Sequence, residues 1–247
     1  MSTAPASPAA APAERPTLDV SRLPAETRDS RSPSWWGNTL FMLIETSTVA
    51  LLVASYVYLW RNYPQSGWPP PAADHDPPLL KPVPDLLFGT LNVLLLLGTV
   101  PLTVWVDRLC RAQFDELEAA NAAKPSEVPA GKPRPPRERV ASVLFGLGVL
   151  FALACASLAL RWLEFPALQV RWNENAYAAL VWTLLGLHFV YVTIEVVEFG
   201  VLLVWTWLFG LGENQATDVM LTAAYWYWTV GVGVVVYGVV YWFPRLV

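Results

Sequence analysis

Five long stretches of this chain are continuously apolar, with no alternation of apolar and polar positions. They run from about Trp35 to Trp60, Pro84 to Leu109, Val140 to Leu163, Ala176 to Trp207 and Val219 to Trp242. A hydrocarbon core of about 30 Å requires roughly 20 helical residues, so each run is long enough to cross a bilayer once. A membrane β-strand is short and alternates, and continuous runs do not fit it. The predicted fold is all-α, a polytopic membrane bundle of five transmembrane helices.

The segments between the runs differ in character. Residues 1–34 are rich in Ala, Pro and Ser and contain no apolar h-region, which predicts a disordered N-terminal arm rather than a signal peptide. Residues 35–247 make up the membrane domain. Tyr63 to Pro84 contains Trp68-Pro69-Pro70-Pro71 and Asp74-His75-Asp76-Pro77-Pro78, a stiff loop without a helix. The Pro-rich loop 112–139 has two parts. Gln113 to Ala123 can extend the preceding helix beyond the membrane, and Lys124 to Pro136 is a basic, Pro-rich linker. No internal repeat is visible.

Composition agrees with lipid as the main solvent. The 247 residues are 55% hydrophobic and 15% charged, with a mean hydropathy of +0.39, whereas soluble domains carry about 25% charged residues. Thirteen Trp and nine Tyr suit a chain with many membrane–water boundaries. The net charge of -4 and the scatter of the basic residues argue against a nucleic-acid partner. Five spans place the N-terminal arm on the same side as the second and fourth connections. That side carries eleven of the 16 basic residues, so the N-terminus is expected in the cytoplasm and the C-terminus outside.

Ionisable groups inside a membrane are candidates for function, because lipid penalises them. Glu45 lies well within the first run, between Ile44 and Thr46. It reads equally as a proton-carrying, lipid-contacting or partner-contacting carboxyl and as a protonated group bonded to a neighbouring helix. In the fourth run His188, Tyr191, Glu195 and Glu198 follow one another at steps of 3, 4 and 3 and share one helical face. A buried seam against another helix or subunit is the favoured reading, with a proton path or metal site as the alternative. A metal would need more ligands than this face supplies, and the other His, His75, sits in a Pro-rich loop. Two His in total cannot hold haems and copper. No catalytic residue and no metal site are therefore assigned. Arg161 and Glu164 suggest a local ion pair or a snorkelling pair at a helix end. Gly146 and Gly148 suggest a close-packing or flexible patch, and Pro101 a lone kink. Tyr225 to Trp228 is read as an interfacial belt or a specific contact. Cys110 and Cys155 are expected to be lone buried thiols.

Several segments, taken in order, resemble subunit III of the cytochrome c oxidases, the haem–copper oxidase subunit III family. Trp36-Gly37, Leu40-Phe41 and Glu45 are similar to the W-G-x-x-L-F-x-x-x-E of one of its helices. Tyr56, Tyr58 and Arg61 resemble the Y-x-Y-x-x-R ending of bacterial members. Trp68-Pro69-Pro70 looks like the following loop. Asn92, the Leu94 to Leu97 run and Trp105 resemble the next helix, and Glu164 before Phe165-Pro166 an acidic position at the end of the one after. Gly186-Leu187-His188 with Val192 is similar to G-x-H-x-x-H-V, and Ala223 to Tyr227, including Trp226, to the A-A-W-Y-W of the last helix. The resemblance spans Trp35 to Phe243 and implies the short, five-helix form.

This chain also departs from the family pattern. Family His positions fall on Asp107, Arg108, Tyr191 and Trp228, an Asp on Gly231 and a Glu on Arg161, which implies a divergent branch. The resemblance implies a non-catalytic subunit of a haem–copper terminal oxidase in a bacterial cytoplasmic (inner) membrane, working in aerobic respiratory electron transport. Haem and copper would be held by partner subunits I and II, with phospholipid bound to this chain. Glu45 would be the buried carboxyl near subunit I and support proton uptake, and the polar stripe would make interhelical contacts. The alternatives are a similar partner of a nitric oxide reductase, a small stand-alone transporter, or a scaffold.

Overall fold

The computed structural model describes residues 32–62, 67–71, 81–123 and 136–247. The expected arm therefore lies outside the described residues except for its last three, as do His75 and most of the Lys124 to Pro136 linker. Five long helices are present: α1 (Pro33–Asn62), α2 (Leu86–Ala123), α3 (Arg137–Ala167), α4 (Ala176–Phe209) and α5 (Glu213–Tyr237). The last continues through a π-helical turn (Gly238–Trp242) into a short α6 (Phe243–Leu246). No strand occurs among the described residues. All five spans are long and apolar enough to cross a membrane, so the protein is an all-α, multi-pass membrane bundle.

The helices overrun the apolar stretches, because hydropathy marks the hydrocarbon slab while the backbone ladder persists into the interface. The clearest case is α2, which extends to Ala123, as the sequence of Gln113 to Ala123 allows. Arg139 at the start of α3 explains its stability there. Its Nη1 donates to Gln113 Oε1 and Glu116 Oε2 and its Nη2 to Glu116 Oε1, each at 2.7 Å. This forked, bidentate pairing closes the α2–α3 hairpin outside the apolar slab. Both Pro101 and Pro166 lie inside helices that continue through them.

Helices α2, α3, α4 and α5 close a four-membered ring in which each packs on its neighbours in the order α2–α3–α4–α5–α2. Successive spans alternate in direction, so every contact in the ring is antiparallel. The backbones approach closely where side chains vanish. A Cβ at Gly146 would stand 2.3 Å from a methyl of Val106, so the small residue permits the α2–α3 contact. Gly210, with φ of 79°, ends α4 and allows the sharp return into α5.

Helix α1 stands outside this ring, packed chiefly on α4 and α5. Only 17% of its most apolar window is buried, against 61% for α5. Its exposed Ser47, Thr48 and Ser55 hydroxyls donate to the carbonyls four residues earlier, which satisfies them without water. Cys110 and Cys155 are both free thiols.

Candidate functional site

Two polar clusters lie within the apolar bundle, and α4 contributes to both. The first gathers around Arg161 of α3, which is 6% exposed. Its Nη1 donates to both carboxylate oxygens of Glu164, at 2.7 and 2.6 Å. Its Nη2 stands 3.1 Å from Nδ1 of His188. A guanidinium only donates, so Nδ1 is the acceptor and the ring proton resides on Nε2. That nitrogen donates to the Thr229 carbonyl at 3.2 Å. The Tyr241 hydroxyl, carried by the π-helical turn, donates to Glu164. On α5, Gly233 leaves room for the imidazole, since a Cβ there would lie 2.8 Å from His188 Nε2. Beside this cluster the Ser157 hydroxyl donates to Asn92 Oδ1 at 2.6 Å. The cluster thus ties the Arg161–Glu164 pair of α3 to α4 through His188 and to the α5 rod through Thr229 and Tyr241.

The second cluster occupies the seam between α1, α4 and α5. Glu45 is 8% exposed, and its Oε2 accepts from the Tyr225 hydroxyl at 2.7 Å. Tyr225 stacks on Phe41 and on Trp228, with ring centroids 5.8 and 5.3 Å away. The Trp228 indole donates to the Thr46 hydroxyl at 2.7 Å, and its ring makes a T-shaped contact with Tyr191, centroids 5.0 Å apart. Glu195 is wholly buried, and among the described residues neither of its carboxyl oxygens has a hydrogen-bond partner. It sits within electrostatic reach of Glu45 and Glu198. Glu198 accepts from the Thr222 hydroxyl at 3.2 Å and interacts with Asp218 at the start of α5.

The polar face of α4 therefore packs inside the protein, but it is divided. His188 joins the Arg161 cluster, while Tyr191, Glu195 and Glu198 face the α1–α5 seam. No group of three or more His, Cys, Asp or Glu side chains able to hold a metal occurs among the described residues. Arg161 and Glu164 form the expected local pair, but they do not snorkel. Side chains on a helix lean toward its N-terminus, which carries the guanidinium of Arg161 inward from the end of α3. The aromatic cluster of α5 turns two of its four rings inward. Tyr225 and Trp226 are buried, and the Trp226 indole donates to the Thr99 hydroxyl of α2 at 2.8 Å.

The other motif positions fall into two groups. Tyr56, Trp68, Asn92, Glu164 and Trp226 are buried, and the Trp68 indole donates to the Tyr56 hydroxyl at 3.2 Å. Trp36, Arg61 and Trp105 are exposed, and Gly37 faces open space. Sequence reasoning missed Tyr241, Ser157 and the Thr229 carbonyl as partners. No local signal marks them, because each contact joins residues far apart in sequence.

A groove of about 970 Å³ opens between the end of α3 and the start of α4. Trp162, Phe165, Trp182 and Phe189 form its apolar wall, and Arg171 and Glu174 line it with charge. The Trp182 indole donates to the Val170 carbonyl at 2.9 Å and fixes the connecting loop. No protein-family model matches this chain, and no curated protein matches it significantly.

Proposed function

We propose that this chain is a non-catalytic, subunit III-like component of a haem–copper terminal oxidase in a bacterial cytoplasmic membrane, with its N-terminus in the cytoplasm. One observation carries the reading. The positions that bear the resemblance supply many of the interior joints of the bundle. Glu45 meets Tyr225, Tyr56 meets Trp68, Asn92 meets Ser157, Trp226 meets Thr99, and Glu164 meets Arg161. A chain selected to hold such joints acts as a scaffold beside a reactive partner rather than as the reactive centre. The departures also cohere. Arg161 stands where the family has a Glu, and it pairs with Glu164 and His188.

In this reading haem and copper reside in subunits I and II, and Glu45 on the peripheral α1 supports proton uptake. The aromatic groove with Arg171 and Glu174 suits a zwitterionic phospholipid, apolar in its body and charged at its head. A similar role beside a nitric oxide reductase is the second reading, favoured by the replaced His positions at Asp107, Arg108, Tyr191 and Trp228. Removing the chain from its host membrane tests the proposal. Oxygen consumption by the haem-containing partner is expected to persist at first and then decay early during turnover. Loss of nitric oxide consumption instead would select the second reading, and unchanged rates and lifetimes for both gases would reject the subunit role.

A further inference from the structure

We propose that the groove between the end of α3 and the start of α4 selects a zwitterionic phospholipid whose head bears a primary ammonium, an ethanolamine-type head in preference to a choline-type one. This selectivity rests on the groove holding a phospholipid, as the proposed function has it, and not on the oxidase partnership. The groove descends from the 171–174 turn to Phe189, about 20 Å along α4 at the rise of an α-helix. That length accommodates an acyl chain through one leaflet, half of a hydrocarbon core about 30 Å thick. Phe165 stacks on Trp182 with ring centroids 4.9 Å apart, and Phe189 stands against both Phe165 and Trp162. The Trp182 indole N–H is taken by the Val170 carbonyl, so the ring has no donor left to offer the groove. Gly186 keeps the groove wide, since a Cβ there would meet nothing within 4 Å.

The charged mouth sets the headgroup. Arg171 and Glu174 close a single turn, in which the Arg171 N–H donates to Glu174 Oε2 at 3.1 Å and the Glu174 N–H donates to the Arg171 carbonyl at 3.1 Å. The ends of such a turn lie within about 7 Å of each other, a separation that a phosphate and an amine joined by two carbons can bridge. One oxygen of the Glu174 carboxylate is thereby held. The other, Oε1, is buried and accepts no hydrogen bond among the described residues. Among those residues no ion pair joins Glu174 to Arg171 either. A buried carboxylate oxygen without a donor is costly, and a ligand that brings an N–H removes the cost. An ethanolamine ammonium carries three N–H donors, whereas a trimethylated choline head carries none. The lipid phosphate accepts hydrogen bonds and suits the forked donors of the Arg171 guanidinium. Charge therefore matches at both ends of the head, with the ammonium beside Glu174 and the phosphate beside Arg171, while the tail lies on the aromatic wall. An anionic lipid lacking an amine would satisfy Arg171 and leave Oε1 unpaired.

The test titrates the delipidated full-length protein in detergent with phosphatidylethanolamine and with phosphatidylcholine of identical acyl chains, and reads bound lipid by native mass spectrometry. The wild type is expected to bind the ethanolamine lipid more tightly by about tenfold, the low end of what one hydrogen bond to a charged group contributes. Glu174→Gln keeps the shape of the side chain and removes its charge, and it is expected to bring the two lipids level by weakening the ethanolamine lipid alone. Gly186→Leu fills the groove from a position with open space around it and is expected to lose both lipids. Should Gly186→Leu lose its helical circular dichroism, the affinity ratio in Glu174→Gln decides the matter. Equal affinities in the wild type would overturn the proposal, as would a preference that survives Glu174→Gln or a second polypeptide, another copy of this chain included, retained in the groove in place of lipid. Equal affinities that both vanish in Gly186→Leu would remove only the headgroup selectivity and leave a phospholipid groove standing. Binding of neither lipid would remove the phospholipid reading as well. Co-purification with haem is a separate measurement that none of these results moves.

Discussion

Glu164 and Glu195 are enclosed to the same degree, 1% and 0% exposed, in the same bundle, yet their surroundings have opposite chemistry. Glu164 accepts from a guanidinium and a phenol, and the guanidinium in turn meets a histidine. Among the described residues Glu195 accepts from nothing, and it sits within electrostatic reach of two other carboxyls. A buried charge with complete pairing behaves as a joint, since breaking it leaves an uncompensated ion. A buried carboxyl without a partner forms no joint and contributes little to cohesion. Equal burial therefore does not imply equal function; the difference lies in which donors the neighbouring helices supply.

Matched substitutions can break this comparison, and unfolding in mixed detergent micelles is the common measurement. Arg161→Met is expected to have the largest effect, a loss of about 3–5 kcal/mol, because it strands Glu164 as a buried unpaired charge. Adding Glu164→Leu is expected to restore most of that loss; a double variant as unstable as the single would show that the pairing was not the cause. Gly233→Ala leaves every charge in place but drives a methyl to 2.8 Å from His188 Nε2, and the overpacking is expected to cost about 1–3 kcal/mol. Trp226→Phe removes the indole N–H that donates to Thr99 and is expected to cost about 1 kcal/mol. Glu195→Met preserves length and apolar volume, and the expected change runs from neutral to a gain of about 1 kcal/mol, because no bond is lost and an unsatisfied buried group is removed. A loss comparable to that of Arg161→Met would erase the distinction between the two clusters.

The spans were legible because they depend on a local property, a long apolar run that only a helix can satisfy in lipid. The inward polar face of α4 was legible for a similar reason, since steps of 3 and 4 bring side chains onto one face. The division of that face between two clusters was not legible. Whether His188 meets Arg161 or Glu195 meets a donor depends on what α1, α3 and α5 present at the same height, and helix register leaves no trace in one sequence. The same holds for Tyr225 and Trp226, whose amphipathic rings suit an interface as well as an interior hydrogen bond. Tyr241 reaches Glu164 from a π-helical turn, and apolar periodicity carries no mark of that wider turn.

The most direct test of the functional account is purification of the tagged chain in mild detergent from membranes that contain an active haem–copper oxidase, followed by a reduced-minus-oxidised optical spectrum of the eluate. The account predicts haem bands in constant proportion to this chain, together with a large haem-binding subunit. A colourless, haem-free eluate from those membranes would contradict it.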